Sequence, residues 1–198
     1  MRITWARLLF ILLIAWGAVH YFNQREVVHG PGLLAAQAPY QGSAGSAAVQ
    51  NIHGFEITPL ASFSVNARVL GRKDYHFGRE ADLSPIDLAL GWGRMSDEAV
   101  LKDISISQGN RFYYWRVSQF PIPREEIETH SANMHLIPAD DHVEKAMQSI
   151  RAGNIVRLHG YLVEARTADG WRWKSSLTRE DTGLGACELM LVESVEVL

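Results

Sequence analysis

Residues Trp5 to Phe22 read WARLLFILLIAWGAVHYF, and this run constrains the chain more than any other part of its 198 residues. Its one formal charge is Arg7, near the start, and His20 is its other strongly polar group. About 17–25 apolar residues, at 1.5 Å each, cross the roughly 30 Å hydrocarbon layer of a bilayer. The run therefore predicts an uncleaved transmembrane signal-anchor over residues 1–22. Arg2 and Arg7 flank its N-terminal side, so the positive-inside rule puts the N-terminus in the cytosol. The rest of the chain is then expected beyond the inner membrane, in the periplasm. A cleaved signal peptide would use Leu8 to Ile14 as its apolar region, with Ala15 and Gly17 before the cut. Trp16 and the continuing Ala18-Val19 make that site poor. A core helix would need a polar face, and this run has none.

Beyond residue 22 the chain carries 17 basic and 22 acidic side chains, a net charge of −5. A nucleic-acid binder shows a strongly basic face, so nucleic acid is not an expected partner. Asn-x-Ser/Thr acceptors are absent, which favours a bacterial envelope over a eukaryotic secretory route. The lone Cys187 cannot form an internal bridge.

Residues 23–54 contain GPGLLAAQAPYQGSAGSAAVQN, a composition too poor in large apolar groups to offset its ordering entropy, and they predict a flexible tether. A globular domain is expected over 55–198. Ala61 to Arg72 alternates, with Phe63, Val65, Ala67 and Val69 on one face, which predicts a half-buried strand. Ser84, Pro85 and Asp87 have the spacing of a capping box opening a short helix that ends at Gly91. A hairpin with the aromatic strand FYYWRV is expected around Gln108-Gly109-Asn110. Asp140 or Asp141 caps a helix over 141–151, with Val143, Met147 and Ile150 as its apolar stripe. Ile155 to Arg166, a hairpin at Asp169-Gly170, and Cys187 to Val197 return the chain to strands. The expected fold class is α+β: a transmembrane helix, then a small antiparallel β-barrel-like (OB-like) domain with two or three short helices.

The richest polar stretch is Ser175 to Glu188. Its hydroxyls, Arg179 and two glycines could cradle an anion, with Ser175, Thr178 and Asp181 as further ligand-binding candidates. The same residues also suit a loop whose hydroxyls bond their own backbone. Cys187, His135 and Asp140 supply the residue types of a thiol nucleophile set, but nothing in the spacing joins them. His130, His135, His142, Asp140 and Asp141 are possible metal ligands at spacings that match no known finger or protease pattern, so no metal and no cofactor is expected. Tyr113, Tyr114, Trp115, Trp171 and Trp173 interleave with Arg111, Arg116, Arg172 and Lys174. That alternation suits an aromatic core face backed by a solvated basic face, and it leaves glycan or peptide binding open. Trp92, between Gly91 and Gly93, is a candidate exposed anchor or a barrel plug.

Three strings, WRWKSSLTREDTGLGACE, SANMHLIPAD and ADLSPIDLALGWGRM, resemble a family of uncharacterised bacterial membrane-anchored proteins. The resemblance covers most of the chain beyond the apolar run and implies an envelope protein with one N-terminal span. It assigns no activity and no catalytic residue. The expected role is a binding or assembly module in the cell envelope, with an envelope protein as a possible partner. The alternative is an envelope hydrolase or transferase that uses the 175–188 loop, with Arg179 holding an anion and His135 as base.

Overall fold

The structure is a computed structural model that describes residues 5–23, 25–178 and 188–198. The apolar run forms α1 (Trp5–Asn23). Among the described residues no helix is long and apolar enough to cross a membrane. Between Arg7 and His20 lie 12 apolar or small residues, about 18 Å of helix, against a layer of roughly 30 Å. The transmembrane signal-anchor is corrected on this finding, and with it the single-pass, inner-membrane and periplasmic placement.

The expected α+β class is corrected as well: the described chain is mostly sheet with few helices, and those beyond α1 are short. Its centre is a barrel of five strands, β3 (Phe55–Asp74), β4 (Ile86–Gly91), β7 (Ser131–Pro138), β10 (Glu188–Val197) and β8 (Ile155–Arg166), paired in that order. Antiparallel pairing of β3 with β8 closes the ring. β7 and β10 run parallel, and α5 (Asp141–Gln148) lies between β7 and β8 in sequence. The strand order with its one parallel pair is a topology, and by itself it carries no function.

Alternation places Phe63, Val65, Ala67 and Val69 of β3 inside the barrel, with Leu88, Leu90, Met134, Leu136, Leu158 and Met190. Val143, Met147 and Ile150 from the α5 segment pack into the same cluster. Asp140 is the cap of α5 and accepts from the Val143 N–H at 2.8 Å. A β-bulge between Pro59 and Ala61 reverses the faces of β3. Phe55 and Ile57 therefore turn outward into a second apolar layer with Leu83, Ile137, Val163, Leu189 and Leu191, partly covered by Trp171 and Trp173. Those tryptophans flank and belong to β9 (Arg172–Lys174), which hydrogen-bonds to β8.

The Ser84–Asp87 spacing does not open a helix. The helix here is α2 (Arg79–Leu83), and it ends at Ser84. All six residues of β4 are buried. A strand covered on both faces gains more from burial than a one-turn cap supplies, so tertiary packing overrides the local signal. The hairpin forms as β5 (Ile104–Gly109) and β6 (Phe112–Val117), with Gly109 opposite Phe112. Its two-residue turn is thus Asn110-Arg111, one position later than the sequence suggests.

Residues 25–54, read from composition as a flexible tether, are tied to the barrel. Tyr40–Ser43 (β1) and Gln50–Ile52 (β2) pair with β3. The Val27 N–H donates to Ala152 O, and His29 Nε2 lies 2.7 Å from Gly153 O. Ser96 Oγ accepts from the N–H groups of Leu34 and Ala35, and Asp97 Oδ1 from Gly32. Small residues suffice here because backbone hydrogen bonds, not side-chain burial, hold the segment. Asp97 also caps α3 (Glu98–Leu101) through the Ala99 N–H.

The Gly32 and Ala99 N–H groups, and then the Arg68 charge, hold the Asp97 carboxyl below its ordinary value of 3.8, against a smaller opposing effect of burial. A carboxylate whose folded pKa is depressed adds stability above the ordinary value and loses it as pH falls through the folded one. The Tm gap between the native chain and Asp97→Asn is expected to hold steady above about pH 5 and to close as pH drops below 3.8. A gap unchanged at about pH 2.5 would contradict this role for the charge.

Candidate functional site

The feature that the local sequence signals conceal is Asp87. On β4 it stands opposite His135 of β7 in the ladder and is fully buried. Its Oδ1 receives Arg111 Nη1 at 2.7 Å, and the same nitrogen donates to Ser84 O at 3.0 Å. Arg111 Nε lies 3.6 Å from Glu80. The guanidinium carbon sits 3.7 Å from the centre of the Tyr75 ring and 5.5 Å from that of Trp173. A buried carboxylate thus meets a cation that is stacked, hydrogen-bonded and ion-paired at once.

Arg111 reaches Asp87 from an unusual backbone. It sits at φ +68 and Asn110 at φ +52, the left-handed pair of a two-residue hairpin turn in which glycine is the usual second residue. Neighbours hold that turn. The Arg111 N–H donates to Tyr75 Oη at 3.0 Å, and Arg111 O accepts from Asn133 Nδ2 at 3.0 Å. Gln108 Nε2 in turn donates to Asn133 Oδ1 at 2.9 Å. Burial, first, and the Asp87 charge raise the Tyr75 phenol above 10.0, while the Arg111 N–H and charge pull the other way.

Above this network opens a cleft of about 560 Å³, lined by Tyr75, Phe77, Gly78, Arg79, Glu80, Asn110, Arg111 and Trp171. Three loops build it: the β3–α2 loop, the β5–β6 turn, and the turn before β9. Phe77 is 94% exposed, so its ring stands in solvent. Arg79 forks onto Asp169, at 3.3 and 2.7 Å, and its guanidinium lies 5.7 Å from the Trp171 ring centre. Thr167, the Trp171 N–H and Arg79 hold Asp169 below the ordinary carboxylate range.

Of the ligand-binding candidates singled out from sequence, His135 is the one in this network, where it joins Arg111 and Trp173 of the aromatic and basic alternation. Its Nδ1 lies 2.9 Å from Asp87 Oδ1, yet its orientation does not make a hydrogen bond, since both His135 Nδ1 and Asp87 Oδ2 are buried with no bonded partner. The ring is 1% exposed and its centre lies 4.8 Å from that of Trp173. A general base is oriented by a hydrogen bond and reaches the reacting proton; in this structure the His135 ring is covered and its contact with Asp87 is poorly aligned. Ser175 is buried; its Oγ accepts from the Leu189 N–H and donates to Ser176 O. Thr178 makes its backbone bonds to Ser176 Oγ, so both residues take part in local chain bonding. Trp92 is 3% exposed and belongs to the barrel core. Arg179, Asp181 and Cys187 lie outside the described residues. Among the described residues no group of three or more His, Cys, Asp or Glu could hold a metal.

Asp87, Arg111, Tyr75, Phe77 and Arg79 are the cleft residues that sequence reasoning missed as a group. Asp87 was absorbed into a cap, and no spacing links the others. One signal was available: an Arg in the second position of a two-residue hairpin turn, where glycine costs nothing, asks what its side chain is holding.

No family model matches the chain, and no solved structure does. A stretch of 112 residues is 26% identical to neutral alpha-glucosidase AB of Mus musculus, which covers 54% of this chain and 12% of that protein. The chain therefore spans about an eighth of the length of the curated relative it matches.

Removing one partner of a buried ion pair leaves the other uncompensated, at a cost of about 3–5 kcal/mol. Asp87→Ala is expected to lower unfolding stability by about that amount in chemical denaturation of the full chain. A loss below about 1 kcal/mol would mean that the pair is not the anchor of this site.

Proposed function

We propose that this chain is a binding module whose ligand enters the cleft between the β3–α2 loop, the β5–β6 turn and the turn before β9. The observation that carries the reading is Phe77, a large apolar ring left in solvent beside Tyr75, Trp171 and two fixed guanidinium groups. Convergent polar groups around apolar walls, in a volume between about 300 and 1,000 Å³, are the usual make-up of a ligand site. The strained Asn110-Arg111 turn supports the reading further, because left-handed non-glycine residues persist where neighbours over-determine them and cluster at ligand sites.

Catalysis by His135 has less support, because that ring is covered and poorly aligned with Asp87. A binding role asks nothing of His135 beyond filling the space under Trp173.

An NMR fragment screen on the full chain tests the reading. Hits are expected to shift the Trp171 indole and the amides of residues 75–80. An aromatic contact contributes about 0.5–1.5 kcal/mol. Phe77→Ala should therefore weaken those hits by about three- to tenfold with Tm unchanged. Hits clustered elsewhere, or indifferent to Phe77→Ala, would contradict it.

A further inference from the structure

We infer that the ligand of this cleft is an uncharged, polyhydroxylated chain, that is, a neutral glycan; the inference rests on the cleft being a binding site. Three groups of observations lead to it, beginning with charge. Two guanidinium groups reach the cleft, and each is already matched. Arg79 forks onto Asp169, while Arg111 meets Asp87 at 2.7 Å and Glu80 at 3.6 Å. Glu80 lines the cleft, and Asp87 and Asp169 stand behind its two arginines, so three carboxylates are set against two cations among the described residues. A phosphate or sulfate entering here would compete with a carboxylate at each arginine, and the net −5 of the chain beyond residue 22 repels polyanions at longer range.

The second group is the chemistry left on offer once the charges are matched. Glu80 presents acceptors in the cleft wall, Arg79 presents N–H donors with Asp169 behind it, and the exposed Asn110 amide presents both. A sugar hydroxyl donates and accepts at the same oxygen, so a row of them can meet paired Arg and carboxylate groups without breaking those pairs. The C–H faces of a pyranose ring are flat and apolar, and they match the exposed Phe77 and half-buried Trp171 rings.

The third is the backbone. Among the described residues the cleft is lined by loop and turn residues and by the start of α2, and no strand residue presents an edge in its walls. An extended peptide would need that edge to satisfy its N–H and C=O groups. A glycan has no such need.

The test is a titration of the full chain, read by tryptophan fluorescence. The neutral probes are cellohexaose, chitohexaose and maltohexaose, and the polyanions are heparin and a dT12 oligonucleotide, each at 50 and 500 mM NaCl. At least one neutral oligosaccharide is expected to saturate, with a Kd that changes less than about twofold between the two salt concentrations. Phe77→Ala should weaken it about three- to tenfold. Trp171→Ala is the second variant, with circular dichroism to confirm folding. If only a polyanion binds, with affinity that falls more than tenfold in high salt and depends on Phe77, the cleft reading stands and the ligand class is overturned. If a sugar binds but neither substitution changes its affinity, the cleft reading itself fails. If no probe binds at millimolar concentration, the glycan assignment is overturned.

Discussion

A buried carboxylate with no solvent must find a cation, and in this chain Asp87 finds Arg111. The pair joins β4, where Asp87 sits, to the tip of the β5–β6 hairpin, and Arg111 also reaches the end of α2 through Ser84 O. Tyr75 stacks against the guanidinium and accepts the Arg111 N–H, which fixes the loop after β3 to the same point. Desolvating two ions costs several kcal/mol each, and excellent geometry with further hydrogen bonds is needed to offset it. Here the cation has a carboxylate, a carbonyl and an aromatic face within reach, while Asp87 Oδ2 is left buried without a bonded partner.

The same pair explains why the cleft has its shape. Asn110 and Arg111 adopt left-handed backbone that glycine would adopt without cost. Arg111 is retained there at an energetic cost, and the return is a side chain that can enter from the turn and cap Asp87. Once Arg111 is held, Tyr75 is held, and the chain that follows presents Phe77 and Arg79 to solvent. The Arg79–Asp169 fork then links this loop to the turn before β9, which brings Trp171 to the opposite wall. Rigid walls with matched charges suit a neutral ligand better than an anion.

What sequence revealed depended on whether the deciding forces were local. Ile155 to Arg166 reads as one long strand and forms one, because its alternation meets a closed barrel. Asp140 caps α5 because capping needs only neighbouring N–H groups. Ile86 to Gly91 reads as helix from its cap yet forms a strand, since burial on both faces outweighs one turn of capping. Residues 25–54 read as a tether because their composition hides backbone bonds to residues more than 60 positions away, such as Gly32 to Asp97. The apolar run at the start reads as a span by residue type, but its uninterrupted stretch is too short for one. Of the site, the aromatic and basic interleaving around Arg111, Trp171 and Trp173 was visible. Its organising residue was not, because the Asp87–Arg111 contact spans 24 positions and no local pattern marks it.

The cleft depends on that contact, and a double-mutant cycle measures it most directly. Stabilities of the native chain, Asp87→Ala, Arg111→Ala and the double variant, all from chemical denaturation, give the coupling between the two side chains. Groups in direct contact are expected to couple by about 1–3 kcal/mol, so the double variant should lose much less than the two single losses together. Additive losses, within about 0.5 kcal/mol, would show that Asp87 and Arg111 act independently and that something else holds the cleft.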